Sequence, residues 1–143
     1  MYPPVFRDER KGELNRAGFE TMQRLLERSG LCLGLHPEGR RARSADPFEI
    51  EPLRPGVGRL ITHAQPNLYV LPLFIEGLSN QAGAEVKQAF WRARATPIYL
   101  RWGEARLASD YPADEALATQ EVATQLQTLA DLQRAASLNR SGD

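Results

Sequence analysis

From Glu13 onward, apolar and small residues recur at steps of three and four: Leu14, Gly18, Met22, Leu25, Leu26 and Ser29. Arg16, Glu20, Arg24, Glu27 and Arg28 fill the opposite face, so the spacing predicts an amphipathic helix. Gly30 stands where a left-handed residue is wanted after a helix, and the pattern stops there. Leu31-Cys32-Leu33-Gly34-Leu35 follows as an unbroken apolar run of strand length. A run without alternation predicts a strand buried on both faces, as in an α/β sheet. It ends at His36-Pro37, because proline cannot continue a ladder.

Residues 36–55 then read as a long polar loop broken by Pro37, Gly39, Pro47, Pro52 and Pro55. Val57, Leu60, Ile61 and Ala64 predict a short helix opened by Pro55-Gly56 and closed before Pro66. Tyr69 to Ile75 reads as a second buried strand interrupted by Pro72. Val86, Ala89 and Phe90 could line a helical turn or two within the unassigned stretch 77–95. Thr96 to Trp102 is a third strand, Ile98 and Leu100 alternating with Tyr99 and Arg101. From Asp114 to about Ala136 an apolar stripe of Leu117, Val122, Leu126, Leu129 and Ala136 predicts a final helix.

This order predicts one α/β domain over residues 1–136, a mostly parallel sheet flanked by helices, with 137–143 as a frayed tail. The strand at 31–35 looks central and needs a neighbour on each side. The expectation is therefore a partial domain whose N-terminal part is missing, or whose sheet a partner chain completes.

Composition narrows the function classes. The 143 residues carry eighteen Lys and Arg against eighteen Asp and Glu. Zero net charge speaks against a nucleic-acid binder, whose affinity comes largely from neutralising phosphates, but leaves room for a local anion site. The single cysteine, Cys32, forms no intrachain disulfide and no cysteine-rich metal site; its leucine neighbours mark it as a small buried hydrophobe. No run approaches the roughly 20 apolar residues of a membrane span. The N-terminal residues lack the apolar core of a signal peptide, so the expected compartment is the cytoplasm.

The chemistry-bearing stretch is His36-Pro37-Glu38-Gly39-Arg40-Arg41-Ala42-Arg43-Ser44. Glycine permits backbone angles closed to other residues. Guanidinium groups bind phosphate with paired parallel donors, which makes Arg40, Arg41 and Arg43 a candidate clamp. Glu38 beside them can orient an arginine or accept a hydroxyl. On charge alone, five arginines against four acids over residues 36–60 describe a solvated surface. The order of motifs argues otherwise. Pro37, Glu38, Gly39 and Arg41 resemble the Phe-Pro-Glu-Gly-Thr-Arg-Ser turn of the glycerophosphate/lysophosphatidate acyltransferase family. His36, Arg40 and Ala42 depart from that pattern. Leu53-Arg54-Pro55-Gly56-Val57 resembles the basic, glycine-opened helix that follows in the family, and Val70-Leu71-Pro72-Leu73 its proline-centred strand. Phe6 and Arg10 resemble an upstream motif, with Arg7 a rival for the arginine, and Ile98 to Gly103 resembles the family's last strand. The likeness covers about residues 5–107.

The resemblance implies transfer of a fatty acyl group from acyl-CoA or acyl carrier protein to a lysophosphatidate-like acceptor in phospholipid synthesis, with no bound cofactor. It implies that Arg41, with Arg40 and Arg10, holds the acceptor phosphate, and that Pro37, Glu38 and Gly39 shape the pocket. The partner is then a lysophospholipid or another phosphate-bearing lipid, and the inner membrane face a peripheral docking place. The family's chemistry depends on a His-x-x-x-x-Asp motif, the histidine acting as general base and the aspartate orienting it. His36 and His63 are the only histidines, and Arg41 and Leu68 stand where the aspartate would be. The chain alone is thus expected to be inactive, which leaves open a non-catalytic phosphate- or lipid-binding module or one half of a split enzyme. Trp91 and Trp102, flanked by arginines, read as strand or core packing before headgroup contact.

Overall fold

The computed structural model describes residues 12–39, 44–77 and 97–141. Helix α1 spans Gly12–Leu26 and α2 spans Gly56–Thr62. Strands β1 (Tyr69–Val70), β2 (Leu73–Glu76), β3 (Tyr99–Trp102) and β4 (Arg106–Leu107) follow, then a 3-10 turn at Ala108–Asp110 and the long helix α3, Glu115–Ser141. No helix among the described residues is long and apolar enough to cross a membrane.

Helix α3 organises the rest. Asp114 caps it, its Oδ1 accepting the Leu117 N–H at 2.9 Å, and Glu115 in the first turn and Arg140 in the last complement the helix dipole. Its buried face runs through Ala118, Val122, Leu126, Leu129, Ala130 and Gln133. The predicted stripe is nearly right, but Leu117 is exposed and Ala118 is the buried residue. The helix continues past Ala136 to Ser141. Helix α2 crosses α3 at Gly58, where a methyl group would run into the Glu115 carbonyl oxygen and the Thr119 hydroxyl. Ile61, Ala108, Tyr111, Ala118, Val122 and Leu126 close the first core cluster at this crossing. Burial pushes the Tyr111 phenol's pKa up, and its hydroxyl donates to Gln125 at 2.9 Å.

The sheet corrects the expected architecture. Instead of a mostly parallel sheet flanked by helices there are two small antiparallel ladders, β1 with β4 and β2 with β3. Tyr69 lies opposite Leu107 and Val70 opposite Arg106, whereas Leu73 lies opposite Trp102 and Glu76 opposite Tyr99. The register slips by one between the ladders: Leu71 and Pro72 face Gly103, Glu104 and Ala105, as at a bulge. Pro72 has no N–H to give, and its carbonyl accepts the Gly103 N–H at 2.9 Å. The interruption at Pro72 is thus where the sequence places it, but the strand's partner is the later segment 99–107.

The apolar run Leu31–Leu35 forms no strand. Leu31 and Leu35 are half exposed and Cys32 is exposed, so the central-strand and buried-cysteine expectations both fail. An apolar run forms a buried strand only where both neighbours meet it, and no described segment pairs with this one. Gly30 does adopt the left-handed conformation, φ +77°, but α1 ends before it, at Leu26, and a turn fills residues 27–30.

The second cluster, Phe74, Leu129 and Ala130 with Phe48 packed against it, sits between β2 and α3. Alternation along β2 and β3 sends Phe74, Glu76, Tyr99 and Arg101 toward more buried surroundings. It leaves Ile75, Leu100 and Trp102 on the open face. Trp102 therefore stands opposite Leu73 on the exposed face and not in the core.

Candidate functional site

The residues 36–39 make a tight turn, the Gly39 N–H donating to the His36 carbonyl at 2.9 Å. Gly39 takes φ +69°, a conformation that strains any residue with a Cβ. The turn does not stand alone. The Pro37 carbonyl accepts the Arg54 N–H at 2.8 Å, and Glu38 Oε1 accepts the Glu51 N–H at 3.1 Å. The stem of Arg54 lies against Gly39, where a Cβ would meet Arg54 Cγ at 3.1 Å. Two stretches more than ten residues apart in the sequence thus share one surface, the Pro-Glu-Gly turn and the Arg54-Pro55-Gly56 entry to α2. Glu38 spends one carboxylate oxygen on holding this union together.

Residues 44–55 reach this place because α3 pins them. Gln127 acts as a surrogate strand partner: its Oε1 accepts the Ile50 N–H and its Nε2 donates to the Phe48 carbonyl, each at 3.2 Å. The Arg134 guanidinium donates to Asp46 and lies 5.3 Å over the Phe48 ring. Asp46 in turn accepts the Phe48 N–H at 2.9 Å.

Of the residues expected to hold phosphate, Arg10, Arg40 and Arg41 lie outside the described residues, as do Phe6, Arg7, Arg43, Val86, Ala89, Phe90 and Trp91. Pro37, Glu38 and Gly39 are described and sit together as above. His36 is exposed, and the structure uses its carbonyl in the turn. His63 is exposed at the end of α2, its Nδ1 3.0 Å from the Arg59 carbonyl and 3.8 Å from Glu115 Oε1. Arg54 is the residue at this turn to which the motifs alone assign no role. Its signal was its place directly before Pro55-Gly56.

A second polar cluster joins β2 and β3 to α3. Gln133 takes the Arg101 Nε–H at 3.0 Å and gives its amide to Glu76 at 2.6 Å. The Ser137 hydroxyl lies 3.0 Å from both Glu76 oxygens, and Arg140 reaches Glu76 at 3.5 Å while lying 4.0 Å over the Tyr99 ring. The Glu76–Ser137 contact joins residues 61 apart, which the sequence does not reveal. Every one of these groups is engaged by another, so the cluster is a tie between sheet and helix, not a reactive constellation. A third tie, Arg106 on Glu121 at 2.7 Å, raises the arginine's pKa and anchors β4. Among the described residues no group of acids, histidines or cysteines is placed to hold a metal ion.

No family model, no curated protein and no solved structure matches this chain.

Proposed function

We propose that the chain binds the phosphate of a lysophosphatidate-like acceptor at the Pro-Glu-Gly turn and supplies the acceptor-holding half of an acyltransferase-type site. The observation that carries this reading is the pair of hydrogen bonds from Arg54 N–H to the Pro37 carbonyl and from Glu51 N–H to Glu38. They join the Pro-Glu-Gly turn to the Arg54-Pro55-Gly56 motif that follows it in the family the turn resembles. Arg54, Arg40 and Arg41 would then direct guanidinium donors to one phosphate, with Arg10 contributing from upstream. The acyl donor is acyl-CoA or acyl carrier protein. The antiparallel ladders depart from the sheet the resemblance implies, so the support is local to this turn.

The two histidines favour binding without transfer by this chain alone. Neither histidine is followed by an aspartate at the motif spacing, and His63 turns its Nδ1 to a backbone carbonyl. Transfer would need the His-x-x-x-x-Asp pair, brought by a segment upstream of residue 1 or by a partner chain docked beside this site.

Calorimetric titration of the full chain with lysophosphatidate below its micelle concentration tests the reading. Arg41→Ala and Arg54→Ala should each weaken binding by about 1.5–3 kcal/mol, the scale of a lost charge-assisted hydrogen bond. Unchanged affinity in both variants would remove the turn as the binding site.

A further inference from the structure

Side chains alternate without a break from Tyr69 to Glu76, across both ladders. Val70 packs on the first core cluster, Phe74 belongs to the second, and Glu76 accepts from Gln133 on α3. Tyr69, Leu71, Leu73 and Ile75 therefore stand on the other side. The register sets Leu100 opposite Ile75 and Trp102 opposite Leu73 on that same side. The partner strands also send their polar groups toward α3, where Arg101 meets Gln133 and Arg106 meets Glu121. An antiparallel ribbon with one covered face ordinarily turns its polar residues to water. This one does the reverse. Exposure runs from 36% at Ile75 to 66% at Tyr69, with Leu71, Leu100 and Trp102 between, and none of these six positions carries a charge. Five side chains so exposed present on the order of 600 Å², the upper end of the apolar patch that a monomer leaves open.

We propose that this face is the contact between two copies of the chain, packed ribbon on ribbon with α3 on the outside of each. Charge decides the occupant. A nucleic acid, a charged peptide or an anionic bilayer needs ionic partners, and Glu76, Arg101 and Arg106 are turned to the opposite side and engaged there. A second copy brings an identical uncharged face, so no like charges are opposed and none is buried unpaired. Eighteen basic and eighteen acidic residues leave no net charge to hold two copies apart at long range. Size agrees, since two such patches bury on the order of 1,200 Å² together, the lower end for a specific interface. Facing sheets lie about 10 Å apart, room for one interdigitated layer of side chains. A two-fold contact of this kind closes on itself and stops at a dimer. The proposal stands on this face and does not rest on the acyltransferase reading.

Sedimentation velocity of the full chain over a concentration series is the test. The wild type should pass from one chain mass to two as concentration rises. Leu100→Glu, on the open face and outside the core, should stay folded by circular dichroism and raise the dimer dissociation constant about tenfold or more, because it opposes carboxylates within the contact. An equimolar mixture of Leu100→Glu with Leu100→Lys should recover the dimer, which misfolded variants would not. If Leu100→Glu fails to fold, Trp91→Phe supplies the second reading, because it leaves Trp102 as the single tryptophan. Its emission should then shift to the blue over the same concentrations at which the mass doubles. A monomer at every concentration overturns the proposal. In that monomer, blue Trp102 emission would assign the face to residues 78–96 of the same chain, which join β2 to β3. Red emission with binding to phosphatidylcholine vesicles would assign it to a neutral lipid surface. A dimer that persists in folded Leu100→Glu, or that forms with no change in Trp102 emission, places the contact elsewhere and also overturns it.

Discussion

Gly58 carries no side chain where α2 crosses α3, and the atoms that would meet one include the Glu115 backbone carbonyl. Two effects of Gly58→Ala oppose each other. Alanine favours a helix interior over glycine by roughly 1 kcal/mol. Overpacking a filled contact costs about 1–3 kcal/mol. The obstacle is backbone as well as side chain and cannot swing aside, so the clash wins and the helices must separate. Urea denaturation of Gly58→Ala should show a lower midpoint, and an unchanged or higher one would mean that α2 does not approach α3 this closely. The glycine itself is plain in the sequence between Val57 and Arg59. Its reason is not, since the crowding atoms lie near residue 115, far along the chain. Cys32 shows the reverse case: its leucine neighbours describe a buried residue, and it is exposed, with no described segment pairing with that run.

At the scale of elements, the surface around the Pro-Glu-Gly turn depends on a loop with no regular structure, held by α3. Gln127 supplies both a donor and an acceptor to the loop backbone, at Phe48 and Ile50. Gln127→Ala should leave those two groups without their partner, at about 1–3 kcal/mol if they stay buried. Water will satisfy them in part, because the contact is only partly buried. Amide exchange at Ile50 should speed up while the Ala118 amide, hydrogen-bonded to the Asp114 carbonyl, stays protected. Equal acceleration at both positions would make Gln127 a support of the whole fold and not of the loop. Element existence was largely legible: α1, α2, the break at Pro72, the strand near residue 100 and the last helix all announce themselves by period or by proline. Pairing was not. A two-fold alternation says that Ile75 and Leu100 share a face, but it does not say which segment lies alongside, nor in which direction. For the same reason the apolar side of β2 and β3 is the open one, with the polar Glu76 and Arg101 directed toward α3 and Gln133.

For the molecule as a whole, α3 is the shared wall of both core clusters, Val122 and Leu126 belonging to one and Leu129 and Ala130 to the other. Ile50 packs against both. The two ladders should therefore unfold together. Leu126→Ala removes a buried side chain and should cost about 2–5 kcal/mol. Far-ultraviolet and near-ultraviolet circular dichroism should report one coincident transition that moves as a unit in this variant. Two separated transitions would show the ladders to be independent. By itself, the sequence determined the helices, the proline break, the Pro-Glu-Gly turn with its basic neighbours and the zero net charge. These are local matters of period, backbone restriction and composition, each readable within a few residues. Only the tertiary structure decided that the strands run antiparallel, that Leu31–Leu35 finds no sheet, that the turn rests on Arg54, and that Trp102 stands opposite Leu73 on the open face. Each of these joins residues distant in the chain, and such contacts depend on which surfaces α3 leaves available once its own face is buried.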